Sequence, residues 1–124
     1  MTVIMVADDD IDIRELVEYK LEQSGFEVVA FGSGLDALNA ALRDPPDLFV
    51  LDVMMPGMSG IDVCRALQAS PLTISVPVIL LTARAQEGDV SVGFGAGAAD
   101  YIVKPFSPRE LVTSIEAVLA RPRT

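Results

Sequence analysis

The chain has no histidine, no tryptophan, a single cysteine, and only 9 basic side chains against 18 acidic ones in 124 residues. Each shortage closes off some chemistry. Without histidine there is no imidazole base and no imidazole metal ligand, so reactivity falls to carboxylates, hydroxyls and lysine. One cysteine, Cys64, excludes an intramolecular disulfide framework and suits a reducing compartment. The net charge of -9 argues against a nucleic-acid-binding surface, because phosphate backbones attract basic patches. It suits a metal site or a basic partner better. No basic stretch followed by an apolar segment opens the chain, and no apolar run is long enough to span a bilayer. A cytoplasmic protein that neither crosses a membrane nor binds nucleic acid directly is expected.

What is present describes one compact domain. Hydrophobic residues make up 51% and charged residues 22%, enough for one substantial core. Residues 1–121 read as that domain, with 122–124 as a tail or the start of a linker. The apolar pattern alternates between short runs and helical stretches. Strands are expected at 2–7, 27–31, 47–52, 77–82 and 100–103, and helices at 11–24, 34–42, 60–69, 88–97 and 107–120. In the first helix Ile13, Leu16, Val17, Tyr19 or Lys20, and Leu21 fall near one face, and Gly25 ends it. Such β-α alternation implies an α/β fold, a parallel sheet with helices on both faces joined by right-handed crossovers.

The polar residues at the strand ends carry the chemistry. In an open parallel sheet, ligands bind beyond the carboxyl ends of the strands. Asp8 and Asp9 follow the first strand, Asp52 closes the third, Thr82 closes the fourth and Lys104 follows the fifth. Three carboxylates suit a hard divalent cation with oxygen ligands, which would offset their repulsion and help neutralise an incoming phosphoryl group. A carboxylate can accept that group as an acyl phosphate, with Lys104 as a point charge on its oxygens and Thr82 as a hydroxyl. Asp8, Asp9 and Asp10 could instead cap the following helix. That role explains one acid, and Asp12-Ile13-Arg14-Glu15 offers a capping-box spacing of its own.

Four motifs, "VADDD", "LDVMMPGMSG" (51–60), "LLTAR" (80–84) and "ADYIVKPF" (99–106), occur in order at strand ends. On these the chain resembles the receiver domain of bacterial two-component response regulators, from Val3 to about Arg121. The resemblance implies a flavodoxin-like, doubly wound five-stranded parallel sheet in the order 2-1-3-4-5 with five helices. It implies phosphorylation at Asp52, with Mg²⁺ (or Mn²⁺) held by Asp8, Asp9, Asp52 and the backbone carbonyl of Met54. In that register Asp9 is the direct ligand, Asp8 acts mainly through a bound water, and Asp10 is an outer acid or a cap; a shift to Asp9/Asp10 is the alternative. Thr82 and Lys104 would contact the phosphoryl group, Tyr101 would be the switch aromatic, and Lys104–Pro105 would be a cis peptide. Pro56, Gly57 and Gly60 would shape the loop after the phosphoacceptor.

The implied donor is the phosphohistidine of a sensor histidine kinase or a phosphotransfer protein. The implied output is a changed face formed by the fourth helix, fifth strand and fifth helix, acting on an output domain in cis or a partner in trans. Such a switch is no enzyme in the ordinary sense, catalysing only its own phosphorylation and dephosphorylation. Four glycines, Gly88, Gly93, Gly95 and Gly97, predict a weak fourth helix, since each interior glycine costs a helix about 1 kcal/mol relative to alanine. Receivers of winged-helix transcription factors pair through charged residues on this face. Here Asp100 is present, while Ser114 and Glu116 stand at the basic positions. A different homodimer, or a partner docking on Val90, Val92 and Phe94, follows. Two other readings use the same acids. A Mg²⁺-dependent aspartyl-phosphate phosphatase or phosphotransferase of the haloacid-dehalogenase type would need a second aspartate where Met54 stands. A flavodoxin-like cofactor binder would need a hydroxyl-rich phosphate loop where the carboxylates stand.

Overall fold

A computed structural model describes residues 1–83 and 92–122. Five strands, β1 (Val3–Ala7), β2 (Glu27–Phe31), β3 (Leu48–Asp52), β4 (Val78–Thr82) and β5 (Asp100–Val103), form one sheet. Every pairing is parallel and the order is β2-β1-β3-β4-β5. Helices α1 (Ile11–Gln23), α2 (Gly34–Arg43) and α3 (Gly60–Gln68) follow the first three strands. A helical turn at residues 92–95, α4, precedes β5, and α5 (Pro108–Leu119) closes the fold. The expected sheet order and doubly wound arrangement hold. Of the helix expected at 88–97, residues 88–91, with Gly88 and Val90, lie outside the described residues; so do Arg84 and positions 123–124. No described helix is long and apolar enough to cross a membrane.

The two-residue period of the strands divides the core into two layers. Ile4 and Val6 of β1, Leu48 and Val50 of β3, Ile79 and Leu81 of β4 and Ile102 of β5 pack with Val17 and Leu21 of α1 and Leu111 and Ile115 of α5. Met5, Ala7, Phe49, Leu51, Val78 and Leu80 face the other way, onto Ala37 and Ala41 of α2 and Val63, Cys64 and Leu67 of α3. Central strands covered on both faces need unbroken apolar runs, and β3 and β4 are buried at every position.

The caps set where helices begin. Ser59 accepts from the N–H of Asp62, whose carboxylate accepts from the Ser59 N–H, and Ser107 accepts from the N–H of Glu110. Gly25, at φ +94°, ends α1 in the left-handed conformation that favours glycine. One expectation for α1, the extent of its buried face, is corrected. The buried stripe is Val17 and Leu21, with Ile13 partly covered, while Leu16 and Tyr19 are 46% and 56% exposed. Positions 13, 17 and 21 line up every four residues, whereas 16 and 19 fall off that line toward solvent. Of the two roles expected for Asp10 the structure shows the cap, in place of the alternative at Asp12: its Oδ1 accepts from the N–H groups of Asp12 and Ile13 at 2.9 and 3.2 Å.

Candidate functional site

Strand parity decides which strand-end residues meet. Asp8 continues the series Ile4–Val6, Asp52 the series Leu48–Val50, and Lys104 follows Ile102, so all three emerge on the side of the sheet covered by α1 and α5. β1 and β3 are neighbours, in register from Ile4↔Leu48 to Ala7↔Leu51, which carries Asp8 and Asp52 to adjacent strand ends. Lys104 reaches them from β5. Its ammonium lies 3.1 Å from Asp8 Oδ2 and 3.3 Å from Asp52 Oδ1. Asp8 is wholly buried and Asp52 is 5% exposed.

The three acids converge. One carboxylate oxygen each from Asp8, Asp9 and Asp52 lies within 4.8 Å of the others. This all-oxygen donor set, mixing two buried acids with one exposed one, fits a hard divalent cation that keeps some of its waters. Asp10 stands apart as the helix cap, so the triplet separates into two acids of the cluster and one cap. Burial, and then the charge of Asp8, push the Asp52 carboxyl up to about 6 against the lowering pull of Lys104. Burial pulls the Lys104 ammonium down, but the hydrogen bond to Asp8 and the charges of Asp52 and Asp8 outweigh it and hold it above its ordinary 10.5.

The loop after β3 is closed by backbone bonds. Val53 donates to the Leu81 carbonyl at 2.8 Å and Gly60 donates to the Val53 carbonyl at 3.0 Å. A Cβ on Gly60 would collide with the Asp52 backbone carbonyl, so only glycine lets α3 start this close to β3. Pro56 is exposed at the turn and Gly57 takes φ +77°. The Met54 N–H faces Asp52 Oδ1 at 3.4 Å while its side chain is 74% exposed. The Lys104–Pro105 peptide is cis.

Thr82 and Tyr101 belong to the other face of the sheet. They line a cavity of about 10 Å³ with Val53, Leu80 and Phe94. Tyr101 packs edge-on against Phe94, with ring centroids 5.7 Å apart. On the adjoining surface, Val92 and Phe94 are 44% and 45% exposed. Asp100 is engaged within the chain, accepting from the Tyr101 N–H at 2.8 Å and the Ser114 hydroxyl at 2.7 Å. Cys64 is buried; burial pushes its thiol up to about 11, as an inert core residue requires.

One residue at the site carried no clear signal in the sequence. The Arg14 guanidinium donates to the backbone carbonyl of Asp8 at 2.9 Å and passes over Gly32. An arginine four residues past a helix cap is common on solvated surfaces; only the fold brings its head back over the acids.

Comparisons with known proteins agree with this geometry. The family model described as response regulator receiver domain matches residues 4–116. The chain is 46% identical over 118 residues to the DNA-binding response regulator MtrA of Mycolicibacterium paratuberculosis, covering 95% of this chain and 51% of that protein. It is 44% identical over 118 residues to the alkaline phosphatase synthesis transcriptional regulatory protein PhoP of Bacillus subtilis, covering 95% of this chain and 48% of that protein. The chain thus spans about half the length of the curated relatives it matches. Among solved structures, the chemotaxis protein CheY4 of Vibrio cholerae superposes with a TM-score of 0.91 at 30% identity, covering 95% of this chain and 98% of that one.

Proposed function

Because the chain belongs to the response regulator receiver domain family, we propose that Asp52 is its phosphoacceptor and that Asp8, Asp9, Asp52 and the Met54 carbonyl hold a Mg²⁺ ion. One observation carries this reading: a buried carboxylate at a strand end, ion-paired to Lys104 at 3.3 Å and clustered with two further acids. A carboxylate so placed has no stabilising role that an apolar residue would not fill better.

An Asp52 oxygen attacks the phosphorus of a phosphohistidine on a sensor histidine kinase or phosphotransfer protein. The P–O bond forms as the P–N bond breaks, and the imidazole leaves with that electron pair. Mg²⁺, when bound, supplies positive charge to the phosphoryl oxygens. Lys104 is already beside Asp52 and turns from ion pair to phosphoryl contact. Thr82 donates its hydroxyl to the same oxygens, and Tyr101 fills the small cavity beside it as the threonine moves. The face built from α4, β5 and α5 then changes shape, a population shift rather than a new fold. It acts on an output domain in cis or a partner in trans, in the cytoplasm, through the exposed Val92 and Phe94 or through a homodimer. The chain catalyses only the gain and loss of its own phosphoryl group. Nothing favours a phosphatase acting on other substrates, since Met54 supplies no acid or base.

Incubation with acetyl phosphate and Mg²⁺, read by intact mass, tests the assignment. The wild type is expected to gain one phosphoryl group, and Asp52→Asn none. Equal labelling of the variant would move the site elsewhere.

A further inference from the structure

We propose that Arg14 is a positioning residue for the acidic cluster: through the Asp8 carbonyl it aims the Asp9 carboxylate at the cation, and Gly32 is the opening it needs. The inference rests on the reading that these acids hold Mg²⁺. Every other polar group of Asp8 has its partner. The N–H donates to the Phe31 carbonyl at 3.1 Å, Oδ1 accepts from the Asp10 N–H at 3.0 Å, and Oδ2 faces Lys104 at 3.1 Å. The carbonyl is the remaining one, and Arg14 takes it at 2.9 Å. Helical side chains lean toward the N-terminus, so an arginine one turn past the cap can reach back over the loop.

That carbonyl matters because the peptide unit is planar. Fixing the carbonyl of Asp8 fixes the plane that carries the Asp9 nitrogen and Cα. Asp9 depends on this. It is exposed, and no described residue donates to its carboxylate, yet its oxygen lies within 4.8 Å of those of Asp8 and Asp52. Repulsion alone would swing it outward, and the backbone plane sets the direction of the Cα–Cβ bond from which its rotamers start.

Gly32 gives the contact its passage. A Cβ there would stand 2.9 Å from Arg14 Nη1 and 3.6 Å from Cζ. Its φ is not among the positive values, which among the described residues occur at Gly25, Gly57 and Gly97, so an alanine would fit the backbone and disturb chiefly the guanidinium. The guanidinium is the far end of a flexible side chain and would move at little cost to the fold.

Simple electrostatics makes the opposite prediction. A cation near a cation site repels Mg²⁺, so losing Arg14 should tighten binding. As a positioning residue, its loss should weaken it. Mg²⁺ affinity is read from the dependence of the urea midpoint on Mg²⁺ concentration, followed by far-UV circular dichroism, for wild type, Arg14→Met, Gly32→Ala and the double variant. Arg14→Met should weaken binding roughly tenfold, the low end of what losing an outer partner of a ligand costs. Gly32→Ala, which keeps the charge, should also weaken it, and the double variant should match Arg14→Met alone, because the two act through one contact. If Arg14→Met does not fold, weaker binding by Gly32→Ala alone supports the inference and unchanged binding overturns it. A wild-type response that Arg14→Met leaves unchanged or strengthens overturns the inference alone. A wild type with no response to Mg²⁺ overturns the functional reading and this inference with it.

Discussion

Asp52 and Lys104 are best understood as a pair held between burial and attraction. Burial and Asp8 raise the Asp52 carboxyl from 3.8 to about 6, so in the metal-free protein the native state prefers it protonated. Stability from that preference is full below the ordinary carboxylate pKa and is lost as pH rises through about 6. Asp52→Asn should therefore be more stable than the wild type at neutral pH without Mg²⁺, by about 3 kcal/mol at roughly 1.4 kcal/mol per pKa unit. The gap should close toward pH 4; urea unfolding across a pH series checks it. Lys104→Met should act with the opposite sign. It leaves the wholly buried Asp8 without its counter-charge, at a cost of about 3 kcal/mol. It should also raise Asp52 further, which a ¹³C titration of its carboxyl would follow. The kind of each residue at these strand ends could be read from the chain. What could not was that Lys104 reaches Asp8 as well as Asp52, because that depends on which side chains share a sheet face once residues 96 positions apart have been brought to one rim.

At the scale of the element, α1 shows how one turn of backbone divides three identical residues. Asp10 sits at φ −79°, ψ 111°, and caps the helix. Asp9, one residue earlier, joins the acidic cluster with Asp8 and Asp52. Changing each should separate the roles: Asp10→Ala should lower stability by about 1 kcal/mol with or without Mg²⁺. Asp9→Asn should raise stability in metal-free buffer by relieving repulsion and lose the gain that Mg²⁺ confers. Thermal unfolding with EDTA and with Mg²⁺ distinguishes the two patterns. The strands were read from their apolar runs to within a residue or two at their ends. The alternative capping box at Asp12 failed because spacing alone does not say where helical dihedrals begin. Leu16 and Tyr19 were assigned to the buried face because an apolar pattern offers more candidates than one helix face can cover.

The whole molecule is two apolar layers on one sheet, and its opening as a unit can be watched through Cys64. The thiol lies in the layer under α2 and α3, 3.4 Å from the Ala96 carbonyl, and burial raises it to about 11. Because the thiolate is the reactive form, a disulfide reagent at mildly alkaline pH should label the native protein only as fast as it opens. Mg²⁺ should slow that labelling by stabilising the closed state, and Asp52→Asn should abolish the effect of Mg²⁺ while leaving the metal-free reaction no faster. By itself the sequence determined the order of strands and helices, the acidic, hydroxyl and ammonium groups at the strand ends, and the family to which they point. Those properties are local: a two-residue or four-residue period, a proline, a glycine, a run of aspartates. Only the tertiary structure decided that Asp8, Asp52 and Lys104 share one face of the sheet while Thr82 and Tyr101 share the other. It also decided that Asp10 caps rather than joins the cluster, and that Arg14 turns back over Gly32 to the Asp8 carbonyl. The physical reason is that parity within a strand is fixed by neighbours in the chain, whereas the register between strands and the helix that covers each face are fixed by packing.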